Sequence, residues 1–220
     1  MKKRVHKYLM NIKPKAPQLN AYIKTHKDNA PIRPVINHTQ APSHKLARHL
    51  NKKLRGLLPL PNAYNVTNLQ EIAEELTNIP INDHMKIITL DIKDLYVNLP
   101  NHGVIHTAKF WLNSSPNTGN MNKQILNLLN TLMEQNYFQY DNHFCKPHKG
   151  IAIGLPISGM LAKIYLQYIE NDYIKHWFDS NEIIFYRRYV DDILIIYNQN
   201  KIKEDQKEHT TTNSLWRNLM

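Results

Sequence analysis

Three carboxylates in this chain lie where strand-forming runs stop. Asp91 sits at the end of the apolar run 86–92. Asp191 and Asp192 stand side by side within the apolar segment 183–197. The Ile, Leu and Tyr flanks predict a buried strand over 86–92 ending in an acid, and two strands joined by a tight acidic turn at Asp191-Asp192. Unpaired charges in buried surroundings lose their hydration at high cost. A divalent cation removes that conflict. Carboxylates that hold two ions about 3.5–4 Å apart, on the attacking and leaving oxygens, serve phosphoryl transfer. Mg²⁺ suits such a site, because it takes few carboxylates and shares its shell with substrate phosphates; Mn²⁺ is the alternative ion. Either acidic feature alone is more often ordinary turn or strand-end chemistry. The pair, in one chain, is what points to metal.

The rest of the composition narrows the partners. The 220 residues carry a formal charge of +10, which points to a polyanion, nucleic acid being the commonest. That length suffices for one or two domains with a real core. Cys145 is the only cysteine, so neither a disulfide framework nor a cysteine zinc site is available within one chain. Met1–Met10 is basic and has no apolar core long enough to read as a signal peptide, and no apolar run approaches membrane-spanning length. The expected setting is therefore intracellular, nucleus or cytoplasm rather than secreted, with no membrane partner. The twelve histidines are scattered; His44/His49 and His143/His148 have no acid at metal spacing and read as surface residues.

The positioning elements can be read in outline. Leu19–Thr25 and Ile32–Asn37 form two extended arms about a turn at Asp28-Asn29. Ser43 is placed to cap a helix to about Leu58, with Leu46, Leu50 and Leu54 on one face. Thr67 and Gln70 resemble a capping box for a helix containing Ile72 and Leu76. Helices are expected at 102–113 and 121–136, and a hairpin over Tyr137–Lys146 turning at Asp141-Asn142. A long helix is expected over Ser158–Phe178, with Leu161, Tyr165, Tyr168 and Ile169 inward. The tail from Lys201 is polar.

Four motifs in order give these elements a family resemblance. Tyr189-Val190-Asp191-Asp192 resembles the polymerase hairpin of reverse transcriptases. Asp91-Ile92-Lys93-Asp94-Leu95-Tyr96 resembles their first aspartate motif, in which an aromatic follows the acid by five residues. Gly154-Leu155-Pro156-Ile157-Ser158-Gly159-Met160-Leu161-Ala162 resembles the glycine loop and helix between them. Leu19–Lys27 and Pro31–Val35 resemble the fingers segment of the Penelope-like polymerases, and they favour that family over telomerase-like or intron-type enzymes. The resemblance runs from about Pro17 to Tyr197. Ile153 and Gly159 depart from the Gln and Pro common in related polymerases.

The resemblance implies an α/β (α+β) right-hand polymerase, with fingers and an antiparallel palm sheet packed on helices on one face. It divides the chain into a basic segment at 1–16, fingers at 17–85, a palm at 86–200 and a polar tail at 201–220, with the thumb expected to be absent. It implies an RNA-directed DNA polymerase of a retroelement, acting on an RNA template and DNA primer with deoxynucleoside triphosphates. Asp91 and Asp191 would bind metal with the Ile92 carbonyl, and Asp192 would assist. Arg33, Lys24 and Lys27 would face the triphosphate, since a guanidinium fork suits phosphate oxygens. Tyr96 would pack under the sugar and exclude a 2′-hydroxyl. Gly154 would let nucleotide or template approach the backbone, and Ser158 would cap the next helix. The alternative is a catalytically inert, truncated nucleic-acid-binding remnant of such an element.

Overall fold

A computed structural model describes residues 9, 11, 13–25, 28–116, 118–179 and 183–201. In chain order its elements are β1 (Gln18–Ile23), β2 (Ile32–Asn37), α1 (His44–Leu57), α2 (Leu69–Thr77), β3 (Met85–Asp91), α3 (Leu95–Asn98), α4 (Asn101–Asn113), α5 (Gly119–Glu134), β4 (Phe138–Tyr140), β5 (His143–Cys145), α6 (Ser158–Ile169), a π-helical turn (Glu170–Ile174), α7 (Lys175–Asp179), β6 (Ile183–Tyr189) and β7 (Asp192–Asn198). They form two compact units that interleave along the chain: Met1–Pro59 with Tyr96–Ile164, and Leu60–Leu95 with Tyr165–Met220.

The first unit holds a four-stranded sheet in the order β2-β1-β4-β5. The β1–β2 ladder is antiparallel from Gln18↔Asn37 to Ile23↔Ile32. Asp141 and Asn142 turn the β4–β5 hairpin with φ of 44° and 60°, the left-handed pair that a tight hairpin demands and that Asp and Asn tolerate. Among the helices of this unit, α1, α4 and α5 supply much of the core. α1 buries Ala47, Leu50 and Leu54; α5 buries Ile125, Leu129 and Leu132. Trp111 of α4 donates its indole N–H to the Ile164 carbonyl at 3.2 Å, so a large ring is buried with its polar atom satisfied. Ser43 does not cap α1 as expected. Its backbone is already helical (φ −81°, ψ −7°) and its side chain makes no capping bond, because a cap needs extended dihedrals to aim its oxygen at the next turn.

The second unit is built on an antiparallel sheet in the order β3-β7-β6. β3 pairs with β7 from Met85↔Asn198 to Asp91↔Asp192. Three expectations are corrected here. β3 is not buried: among the described residues it is an edge strand with one neighbour, and Ile87 is 69 % exposed. The cap of α2 is Asn68, not Thr67; its side chain accepts from the Gln70 N–H at 2.9 Å. Helical elements also lie on both faces of the sheet. Arg187 binds Glu75 of α2, while its neighbour Arg188 binds Glu170 of the π-helical turn, and consecutive strand residues point to opposite faces. The expected single helix over Ser158–Phe178 is present in three pieces, with the π turn between α6 and α7. Among the described residues, no helix is long and apolar enough to cross a membrane.

Candidate active site

The acidic residues come together through one ladder and one turn. Asp91 is the last residue of β3, Asp192 is the first of β7, and the two are directly paired. Paired residues of an antiparallel ladder share a face, with Cα atoms about 4.5–5.5 Å apart. Two carboxylates so placed repel unless a cation lies between them or the groups are solvated. Asp191 sits in the turn itself, and its carbonyl accepts the Ile92 N–H at 2.9 Å. The backbones of the two acidic segments are thus locked together at the site. Asp91 and Asp192 are exposed and Asp191 is half-buried, so the acids stand at a wet rim rather than in the buried setting expected.

The turn is also centred one residue earlier than expected. Tyr189 pairs with Asp192, leaving Val190 and Asp191 as the turn residues. Val190 has φ +57°, a conformation that glycine adopts freely and a β-branched residue resists. Its carbonyl is held by the Arg188 guanidinium at 2.8 Å. Arg188 in turn grips Glu170 through Nε at 2.5 Å and Nη2 at 3.1 Å. Both residues are almost fully buried, and the Tyr186 hydroxyl donates to the same carboxylate at 3.1 Å. Burial first, and then the Glu170 charge, raises the Tyr186 hydroxyl well above its ordinary pKa. Sequence reasoning missed this support. The available signal was an Arg pair, Arg187-Arg188, inside an otherwise apolar strand, and Glu170 directly after the apolar run of the long helix.

An open, largely apolar cleft of about 480 Å³ borders the acids. Its walls include Leu69, Ile72 and Leu76 of α2 and Leu194 of β7, and Asp91 and Asp192 stand at its edge. Among the described residues, no three His, Cys, Asp or Glu side chains cluster tightly enough to cage a metal by themselves. The donors available are hard oxygens, few in number. That set fits Mg²⁺, which binds through one or two carboxylates and completes its shell with water and phosphate.

The expected nucleotide contacts all fall in the first unit. Lys24 follows β1 and is half-buried; Arg33 is exposed on β2, directly across from Tyr22. Lys27 lies outside the described residues. Tyr96 lies in α3 and is half-buried. The loop 150–154 joins the strand of Arg33 to the helix of Tyr96. The Ile151 N–H donates to the Tyr96 carbonyl at 2.8 Å, and the Ile36 N–H donates to the Ile153 carbonyl at 2.7 Å. Gly154 has φ +106°, and a Cβ there would stand 2.1 Å from the Ile36 carbonyl oxygen. The close neighbour that demands glycine is therefore the chain's own strand. Ser158 is the first residue of α6 rather than its cap, and its hydroxyl donates back to the Leu155 carbonyl at 2.8 Å. Asn136, which the sequence gave no reason to select, is buried and braces the loop. Its amide donates to the Gly150 carbonyl at 3.1 Å and accepts from the Ala152 N–H at 3.4 Å.

Comparison with known proteins follows the same lines. The family model described as reverse transcriptase (RNA-dependent DNA polymerase) matches residues 13–218. No curated protein matches in sequence. Among solved structures, telomerase from Candida tropicalis in complex with a fragment of telomeric RNA is similar, with a TM-score of 0.65 at 12 % identity over 97 % of this chain and 41 % of that one. The corresponding Candida albicans telomerase gives 0.62 at 12 % over 99 % and 42 %. An apo Candida tropicalis telomerase truncated from its C-terminal domain gives 0.59 at 13 % over 97 % and 51 %. The chain thus spans about half or less of the telomerase chains that it resembles, and it shares their mixed α/β arrangement of antiparallel sheets and helices.

Proposed function

Because the chain belongs to the reverse transcriptase (RNA-dependent DNA polymerase) family, we propose that it is the nucleotide-adding core of a Penelope-like retroelement polymerase. The Penelope-like reading rests on the fingers residues Leu19–Lys27 and Pro31–Val35. The palm chemistry is assigned to Asp91, Asp191 and Asp192, and the contacts to the incoming deoxynucleotide are assigned to Arg33, Lys24 and Tyr96. In the reaction, the primer 3′ oxygen attacks the α-phosphorus of the bound deoxynucleoside triphosphate, the primer grows by one residue, and pyrophosphate departs. The RNA template selects the base by pairing.

One observation carries this reading: Asp91 is paired with Asp192 while the Ile92 N–H is bonded to the Asp191 carbonyl. Asp91, Asp191 and the Ile92 carbonyl would hold the metal ions, with Asp192 in support. Bound Mg²⁺ would supply charge stabilisation at the attacking and leaving oxygens. The chain's own groups do the rest. Arg33 and Lys24 offer cationic N–H donors to the triphosphate. The half-buried Tyr96 ring presents a rigid face to the sugar. Arg188 and Glu170 hold the acidic turn in its strained form.

Primer extension on an RNA template with Mg²⁺ and deoxynucleotides tests the proposal, comparing the parent with Asp91→Asn. Metal-dependent extension by the parent and none by the variant is the expected result. RNA binding without any extension would instead identify an inert binding remnant.

A further inference from the structure

The loop that begins at Lys149 runs along the backbone of α3, residue against residue. Lys149 donates through Nζ to the side-chain oxygen of Asn98 at 3.0 Å. Gly150 has φ +79° and lies so close to α3 that a Cβ there would stand 2.2 Å from the Val97 carbonyl oxygen. The Ile151 N–H donates to the Tyr96 carbonyl at 2.8 Å. α3 has only four residues, too few to hold a helical turn by its own hydrogen bonds. The placement of the Tyr96 ring is therefore set by what grips that turn from outside, and the loop is one such grip.

Asn136 holds the loop at that grip. It follows the C-terminal end of α5, where its N–H donates to the Met133 carbonyl at 3.3 Å, and it is 2 % exposed. Its side-chain amide donates to the Gly150 carbonyl at 3.1 Å and accepts from the Ala152 N–H at 3.4 Å. A primary amide presents a donor and an acceptor side by side, and here the two bonds straddle Ile151, the residue bonded to Tyr96. The far end of the loop is pinned separately. There the Ile36 N–H of β2, the strand of Arg33, donates to the Ile153 carbonyl at 2.7 Å. Removing the Asn136 amide leaves that pin in place and loosens the stretch that lies against α3.

We propose that Asn136 is a positioning residue for sugar selection. Through residues 150–152 it holds α3 so that the Tyr96 ring stands against the sugar of the incoming nucleotide and leaves no room for a 2′-hydroxyl. This rests on the polymerase reading above and adds a residue, remote from the substrate, on which its discrimination depends. The triphosphate contacts, on the β2 side of the loop, do not depend on it.

The test is single-nucleotide primer extension by the full chain on an RNA template, with kcat and KM measured for dCTP and for CTP. The readout is the ratio of the two kcat/KM values. A loss of folded protein scales both values alike and cancels in the ratio, so a merely structural role does not move it. The variants are Asn136→Ala, Tyr96→Val and the two combined. Asn122→Ala is the control: Asn122 is also buried on α5, and its amide donates to the Leu112 carbonyl at 2.8 Å, away from the loop. Asn136→Ser is the second variant should alanine not fold, since water can enter beside the hydroxyl and bond the two freed backbone groups. Misplacing a positioning group by about 1 Å can cost about a hundredfold. A loosened ring should therefore lower the deoxynucleotide preference by about tenfold in Asn136→Ala or Asn136→Ser. Asn122→Ala should keep the parent ratio. The double variant should match Tyr96→Val, because Asn136 acts through that ring. That pattern supports the inference. A parent ratio in the folded Asn136 variants, an equal fall in Asn122→Ala, or a further fall in the double variant beyond Tyr96→Val overturns it while the polymerase reading stands. A parent that binds the primer–template but extends with neither nucleotide overturns the polymerase reading, and this role with it.

Discussion

Arg188 and Glu170 form a buried ion pair directly behind the acidic turn, and Arg188 also donates through Nη1 to the Val190 carbonyl. A buried guanidinium or carboxylate left alone keeps its desolvation cost and loses its partner. Glu170→Leu and Arg188→Met should each lower stability by about 3–5 kcal/mol, and the double variant should cost less than the sum of the two. Urea unfolding checks this. Single variants within about 1 kcal/mol of the parent would show that the pair does not support the turn.

Two glycine substitutions should have opposite signs. Gly154→Ala places a Cβ against the Ile36 carbonyl at a φ of +106°, and should destabilise by more than about 1 kcal/mol. Gly56→Ala adds its Cβ to open space at the end of α1, and should stabilise by about 0.5–1 kcal/mol. Thermal melting distinguishes the two, and a common sign would contradict the packing described.

The pH response should centre on His38. It is 2 % exposed, neither ring nitrogen has a hydrogen-bond partner among the described residues, and burial together with His44 lowers its pKa to about 4. The unfolded chain, with a pKa of 6.5, binds the proton more readily. Stability should therefore rise with pH between about 4 and 6.5 and be level above that window, as far as this group is concerned. His38→Leu removes both the unbonded nitrogens and the titration. It should flatten that part of the stability profile measured by denaturant unfolding; an unchanged slope would assign it to other groups.

Tyr96 is the candidate for sugar selection. Its phenol oxygen lies 4.0 Å from where a Cβ on Gly159 would sit, and its carbonyl anchors Ile151. Tyr96→Val should raise ribonucleotide relative to deoxynucleotide incorporation while extension persists, with folding checked by melting. An unchanged ratio in a folded variant would make Tyr96 a packing residue only.

Much of this was legible in the sequence because local chemistry and fold agreed. The Asp141-Asn142 hairpin and helices α4 and α5 lie within two residues of expectation, since turn residues and apolar spacing act locally. The acidic ladder was legible as two strand ends, although its register was not. A Val-centred turn runs against turn propensity and is held by Arg188, whose own partner Glu170 lies 18 positions away in the chain. The exposure of β3 and the helices on both faces follow from strand order, which no window of sequence encodes. The capping roles expected of Ser43 and Thr67 failed because side-chain type suggests a cap but backbone dihedrals decide it.

The central claim is that Asp91 and Asp191 bind the same metal ions. Mn²⁺ binding followed by electron paramagnetic resonance, in the presence of a deoxynucleoside triphosphate, tests it most directly. Asp94→Asn serves as control, because Asp94 is exposed and its φ of 52° suits Asn. The account predicts saturable binding by the parent and by Asp94→Asn, and its loss in both Asp91→Asn and Asp191→Asn. Parent-like Mn²⁺ binding in either of those two variants would contradict it.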